Sequence, residues 1–310
     1  MNFIKDCFRF WFNLFGFDIV KTRRKRLFSQ SNSVRIGDFD LKLPKGHALP
    51  SYLLQFPFYS RNLQRIVSYI SERTSSTLYI IDVGANVGDS AALIMENSKD
   101  VFITCIEGDK QYLPFLKANL SSSQNIKIID QFLSDTNKEK NHQLINSEGT
   151  ARIIKGDSNA FKFTTIDQLY EEEPCIASSK LLKIDTDGFD LKIIRGGLKY
   201  IADKMPVLFF EYDREFLDAN ADDGISTLKT LQNIGYTLML IYDNYGKLLL
   251  SLTEKDFPLF SQLDEYIKGK KAAFQYYDIC FIHQKDEELF RTIDEKERLF
   301  FNQQVNTLPH

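Results

Sequence analysis

Residues Leu78 to Ser90 read Leu-Tyr-Ile-Ile-Asp-Val-Gly-Ala-Asn-Val-Gly-Asp-Ser, and this stretch restricts the fold more than any other. Its apolar start fits a strand buried on both faces, Gly84 and Gly88 allow a tight turn with close backbone approach to a ligand, and helical patterning resumes from Ser90. The pattern then repeats. A helix is expected near 89–97, a strand at Val101–Ile106, a helix near 110–120 and a strand at 126–130. Further strands end at Ile184 and Asp213, with helices after each. Strands alternating with helices imply a parallel sheet, whose ligands sit outside the carboxyl ends of its strands. Tyr236–Tyr242, Lys247–Leu252 and Tyr277–Ile282 read as late strands, the first two joined by the turn sequence Asp243-Asn244-Tyr245-Gly246. Antiparallel strands closing a parallel sheet favour a Rossmann-like α/β architecture of the seven-stranded methyltransferase type over a symmetric dinucleotide fold.

The turn also restricts the ligand. A dinucleotide fingerprint, G-x-G-x-x-G, seats a pyrophosphate on a helix N-terminus, whereas the spacing here is D-x-G-x-N-x-G, with Asn86 at the second glycine position. The acid Asp82 suits a cationic or hydroxyl-bearing ligand, such as the amino-acid end of S-adenosylmethionine. Glu107 closes the second strand and can accept hydrogen bonds from ribose hydroxyls.

Three further positions bear on chemistry. In Lys180–Asp190, alternation along a strand puts Lys183 and Asp185 on one face at its carboxyl end, as a site pair or as a buried structural ion pair. Asp187, with Asp190 three residues on, reads as a helix cap more than as a reacting group. In Val207–Asp213, Glu211 and Asp213 share a face. His47, Tyr52 and Tyr59 either reach the cleft or simply pack.

The 310-residue chain has a net charge of -3 and a pI near 5.9, which argues against electrostatic capture of nucleic acid. Cys7, Cys105, Cys175 and Cys280 lack disulfide or zinc spacing, so a reducing cytoplasm is the default location. No apolar run is long enough to span a bilayer. Residues 3–20 form an amphipathic pattern rich in Phe and Trp, and five of the six residues 21–26 are basic. That combination suits peripheral attachment to the inner face of an anionic membrane, or a helix packed on the core or on a second subunit of a homo-oligomer. The expected organisation is a preface of helix, basic run and hairpin over 1–60, a catalytic domain over 61–290, and a charged tail over 291–310.

D-V-G-A-N-V-G-D-S at 82–90, L-L-K-I-D-T-D-G-F-D at 181–190 and F-F-E-Y-D at 209–213 together resemble the FkbM family of S-adenosylmethionine-dependent methyltransferases, over residues 45–290. The resemblance implies O-methylation of a sugar hydroxyl in a glycan, glycolipid or secondary metabolite. Two departures stand out. Gly108-Asp109 replaces the commoner proline, and Asp187 and Asp190 stand where the family usually has glutamates.

The resulting expectations are specific. Asp82, Gly84, Asn86 and Gly88 form the cofactor loop, Glu107 binds ribose, and Ser134 with Asp135 approaches adenine. Lys183, Asp185 and Glu211 face the acceptor, with the identity of the base left open between a carboxylate and a deprotonated lysine. A divalent cation held by the acids is the less favoured arrangement. The rival readings are a nicotinamide oxidoreductase and an inactive membrane-associated scaffold.

Overall fold

The computed structural model describes residues 32–98, 100–137, 140–147, 150–155, 159–219, 222–243, 245–268 and 276–307, with side chains omitted at 140–161 and 304–307. The amphipathic pattern of 3–20, the basic run, Cys7 and His310 lie outside these residues.

Among the described residues, the central sheet contains strands β1 (Leu78–Val83), β2 (Val101–Ile106), β3 (Ile126–Ile129), β4 (Leu181–Ile184), β5 (Val207–Asp213), β6 (Tyr236–Asp243), β7 (Leu248–Leu252) and β8 (Tyr276–His283). Their spatial order is β7-β6-β8-β5-β4-β1-β2-β3. From β3 to β5 every pairing is parallel, β8 inserts antiparallel between β5 and β6, and β7 returns from β6 as a hairpin. This is the expected Rossmann-like mixed sheet with an eighth strand, β7, at its edge. The order places β1 and β4 side by side although about 100 residues separate them, and it reverses direction of growth at β1, where a crevice opens in such sheets.

Both faces of the sheet are covered, which explains the near-continuous apolar runs of β1, β2 and β4. On one face Ile81, Leu182, Ile184 and Phe210 pack with Ile166, Ile193, Ile201 and Leu228 from helices Ile166–Glu172, Asp190–Arg195, Leu198–Lys204 and Gly224–Asn233. On the other, Ile80, Ile103, Leu181 and Leu240 meet Ile66, Ile94, Leu116 and Ile293 from helices Arg61–Ser71, Asp89–Asn97, Leu113–Leu120 and Glu287–Thr307.

The hairpin Ser33–Ile36/Phe39–Lys42 seats Ile36 and Leu41 against Ala92 and Leu93. Asn119 ties it to the glycine turn: its side chain exchanges hydrogen bonds with the Lys42 backbone and donates to the Val87 carbonyl at 2.8 Å. The anticipated boundary after residue 290 falls inside the last helix, because that helix buries Ile293 and Glu297. Glu297 is fully buried and accepts two hydrogen bonds from the Arg65 guanidinium, at 2.6 and 2.8 Å. A separate three-stranded antiparallel sheet, from Lys140–Ser147, Thr150–Lys155 and Asn159–Phe161, was not anticipated.

Candidate active site

The turn after β1 is built by three residues in the left-handed region, Gly84 at φ +73°, Asn86 at +48° and Gly88 at +92°. Gly84 is obligatory for a reason internal to the fold. A Cβ there would lie 1.9 Å from the Asp185 carbonyl oxygen, so the turn packs closely on the loop after β4. Asn86 is the non-glycine type that tolerates this conformation best. Its backbone N–H donates to Glu107 Oε2 at 2.8 Å, and its side-chain oxygen lies 3.2 Å from His47 Nε2. Since His47 Nδ1 accepts from the Leu49 N–H, Nε2 is the ring atom that carries hydrogen toward Asn86. His47 thus does reach the turn.

A cleft of about 550 Å³, counting its open mouth, lies between the turn and the loops after β2, β3 and β4. Gly84, Asn86, Glu107, Gly108, Phe132, Leu133, Asp185 and Asp187 are among its lining. Glu107 is buried and clamped, its Oε1 accepting from the Asp109 N–H at 2.7 Å while Oε2 takes that of Asn86. Burial raises its pKa, against the pull of these two N–H groups. Gly108 has no room for a larger residue, because a Cβ would sit 2.4 Å from the Phe132 ring.

Several expected ligand-binding residues do not line this cleft. Ser134 is buried and donates to Asp135 Oδ1, and Asp135 lies beside Arg195, so the wall on that side comes from Gln131, Phe132 and Leu133 instead. Gly88 faces Leu116 and Leu120. Asp82 is wholly enclosed, because β1 lies between β2 and β4 and Asp82 is in register with Lys183.

Lys183 sits 2.8 Å from Asp82 Oδ1, 3.6 Å from Asp185 Oδ2 and 3.3 Å from the Gly84 carbonyl oxygen. Burial alone would lower its pKa, but the carboxylates of Asp82 and Asp185 outweigh burial and hold it above the usual lysine range. A lysine so held is a fixed cation. It joins the tips of β1 and β4. The expected Lys183–Asp185 pair therefore exists, but as the longer contact of a triad centred on Lys183.

The loop is closed by Asp190, where the sequence favoured Asp187 as the cap. Asp190 Oδ2 accepts from Thr186 Oγ1 at 3.0 Å and lies 3.4 Å from the Thr186 and Gly188 N–H groups, so it closes the loop. Asp187, at φ +48°, lines the cleft. One strand over, Glu211 lines a second recess with Asp190 and Asp213. Burial, then the charges of Asp185, Asp187 and Asp190, push the Glu211 pKa well up.

The register of β8 adds a residue that strand reading missed, for Asp278 pairs with Glu211. Asn62 donates to Asp278 Oδ2 at 2.9 Å. Burial, followed by Asp185 and Asp243, brings Asp278 up to about 7 against that hydrogen bond. Tyr59 stands near Asp89, Asp185 and Asp278, and burial with these charges raises its pKa. Between about pH 4 and pH 7 the folded chain keeps a proton on Asp278 that the unfolded chain loses, so stability falls as pH rises through that window. Asp278→Asn should therefore stabilise the fold near pH 8 by up to about 4 kcal/mol, and not near pH 4, by thermal melts. An unchanged midpoint near pH 8 would contradict this placement of Asp278.

Among the described residues no three His, Cys, Asp or Glu side chains are grouped to hold a metal ion, and no helix is long and apolar enough to cross a membrane.

Fold and cleft together define a Rossmann-like mixed sheet with a crevice at its carboxyl edge. No protein-family model and no curated protein sequence matches the chain. Among solved structures it is similar to the methyltransferase FkbM from Methylobacillus flagellatus KT, with 17% identity and a TM-score of 0.32 over 44% of this chain. The match spans only 32% of that protein's length. It is also similar to the N-methyltransferase NodS from Bradyrhizobium japonicum WM9, at 8% identity and TM-score 0.39, over 73% of this chain and 97% of that one. A third is Aeropyrum pernix fibrillarin in complex with S-adenosyl-L-methionine, at 10% identity and TM-score 0.37, over 67% and 66% of the two chains.

Proposed function

We propose that the chain is an S-adenosylmethionine-dependent methyltransferase acting on oxygen, with a sugar hydroxyl as acceptor. The observation that carries this reading is the charge of the cleft. Its lining includes Glu107, Asp185 and Asp187, and no Lys, Arg or His. Asp89 adds another carboxylate to the first turn of the helix that follows the glycine turn. A pyrophosphate would meet only repulsion there, whereas a ligand carrying a sulfonium and an ammonium is attracted.

The residues fit such a cofactor. Each Glu107 oxygen has one backbone N–H partner and a further lone pair, an arrangement suited to a ribose diol. Phe132 and Leu133 offer an apolar wall for a flat base. The bound cofactor supplies a methyl group on positively charged sulfur. Asp185, half-exposed at the cleft rim and fixed by Lys183, orients the acceptor hydroxyl and receives its proton. Lys183, already paired to two carboxylates, keeps β1 and β4 aligned.

Titration with adenosylmethionine and with NAD tests the reading. Adenosylmethionine should bind and NAD should not, and Glu107→Ala should weaken adenosylmethionine binding roughly 10- to 100-fold. Preferential NAD binding would favour the oxidoreductase, and failure to bind either would favour the scaffold.

A further inference from the structure

Beside the cleft, on the other side of the loop after β4, lies a recess of about 230 Å³ counting its mouth. Its charged lining is entirely acidic: Asp190, Glu211 and Asp213, with Gly188, Tyr212 and Phe216 among the remainder. Two of these acids are short of partners. Asp190 is 4% exposed, and while its Oδ2 closes the loop, its Oδ1 is buried with no hydrogen-bond partner. Glu211 accepts no hydrogen bond and pairs with no cation among the described residues, although Asp185, Asp187, Asp190 and Asp213 all press on it. The nearby cations are already engaged. Lys183 serves Asp82 and Asp185, and Arg214 serves Asp218 and Asp264.

Carboxylates crowded in a half-buried recess are unfavourable unless a donor of opposite charge completes them. A small divalent metal fits poorly, since the described acids form no ligand group. A protonated amine fits well, being about the size of a water molecule and bringing three N–H donors.

We propose that this recess is a subsite for a protonated amino group, so that the acceptor is an amine-bearing polyol such as an aminated sugar, held by Asp190 and Glu211. The inference rests on the methyltransferase reading and names its substrate class. The amine docks behind the loop while a neighbouring hydroxyl of the same molecule meets Asp185 at the rim. Where Glu211 is protonated beforehand, docking ionises it and releases that proton to solvent.

The full-length protein, mixed with S-adenosylhomocysteine, is titrated with glucosamine, glucose and N-acetylglucosamine by ligand-observed NMR near pH 7. Glucosamine should bind about tenfold tighter than either neutral sugar. Glu211→Gln should abolish the preference, and Glu254→Gln, on an exposed turn, should retain it. Equal affinity for the three sugars, or a preference that survives Glu211→Gln, would overturn the subsite. Adenosylmethionine titrated into a second sample, prepared without S-adenosylhomocysteine, separates the two ideas. If it binds while glucosamine shows no preference, only the subsite falls; if it does not bind, the methyltransferase reading falls and takes the acceptor with it.

Discussion

Lys183→Met is expected to lower the melting temperature by roughly 10 °C, because it strands a buried charge at the centre of the sheet. Asp82 has no exposed surface, and Lys183 is the cation that balances it. Removing one member of such a pair typically costs about 3–5 kcal/mol, since the remaining carboxylate must either stay charged without a partner or take up a proton. Losing the lysine also frees the Gly84 carbonyl and Asp185. The double variant Lys183→Met with Asp82→Leu should recover most of the loss, as paired removal of buried charges is often neutral. Thermal melts by circular dichroism would read both effects. A single variant melting within about 2 °C of the parent, well below the shift expected for a broken buried pair, would show that the pair contributes little.

Asp185→Asn should cut turnover by roughly 10²- to 10⁴-fold, the range a positioned proton acceptor supplies, while adenosylmethionine affinity changes little. The distinction follows from location. Glu107 is buried in the cleft wall against two backbone N–H groups, whereas the Asp185 side chain is 53% exposed at the rim. Its substitution by an isosteric amide keeps the loop's shape and removes only its basicity. Full turnover with the natural acceptor would mean that the strand tip at β4 is not where the proton goes.

The strands of the central sheet were legible because each is an apolar run that a charged or glycine-bearing turn interrupts. The small sheet at 140–161 was not. In Lys140–Ser147 the large apolar residues Leu144 and Ile145 are adjacent in the sequence, which leaves no alternating apolar pattern to read. Acids at strand ends were equally legible as a group, since carboxylates closing buried strands have few places to go except a ligand crevice. Their pairings were hidden. Lys183 meets Asp82 through the register of β4 on β1, and Asp278 meets Glu211 through the antiparallel register of β8 on β5, and neither follows from local spacing. The cap expected at Asp187 is displaced for a smaller reason: Asp187 sits in the left-handed region, and the closing carboxylate is that of Asp190, three residues on.

The loop from Asp185 to Asp190 is a partition with a compartment on either side, Asp185 and Asp187 facing one and Gly188 and Asp190 the other. Molecules bound in both compartments would share that one loop. Whatever factor the first arrival gives or denies the second must be returned in equal measure when the order is reversed, so one free-energy term governs both sequences of loading.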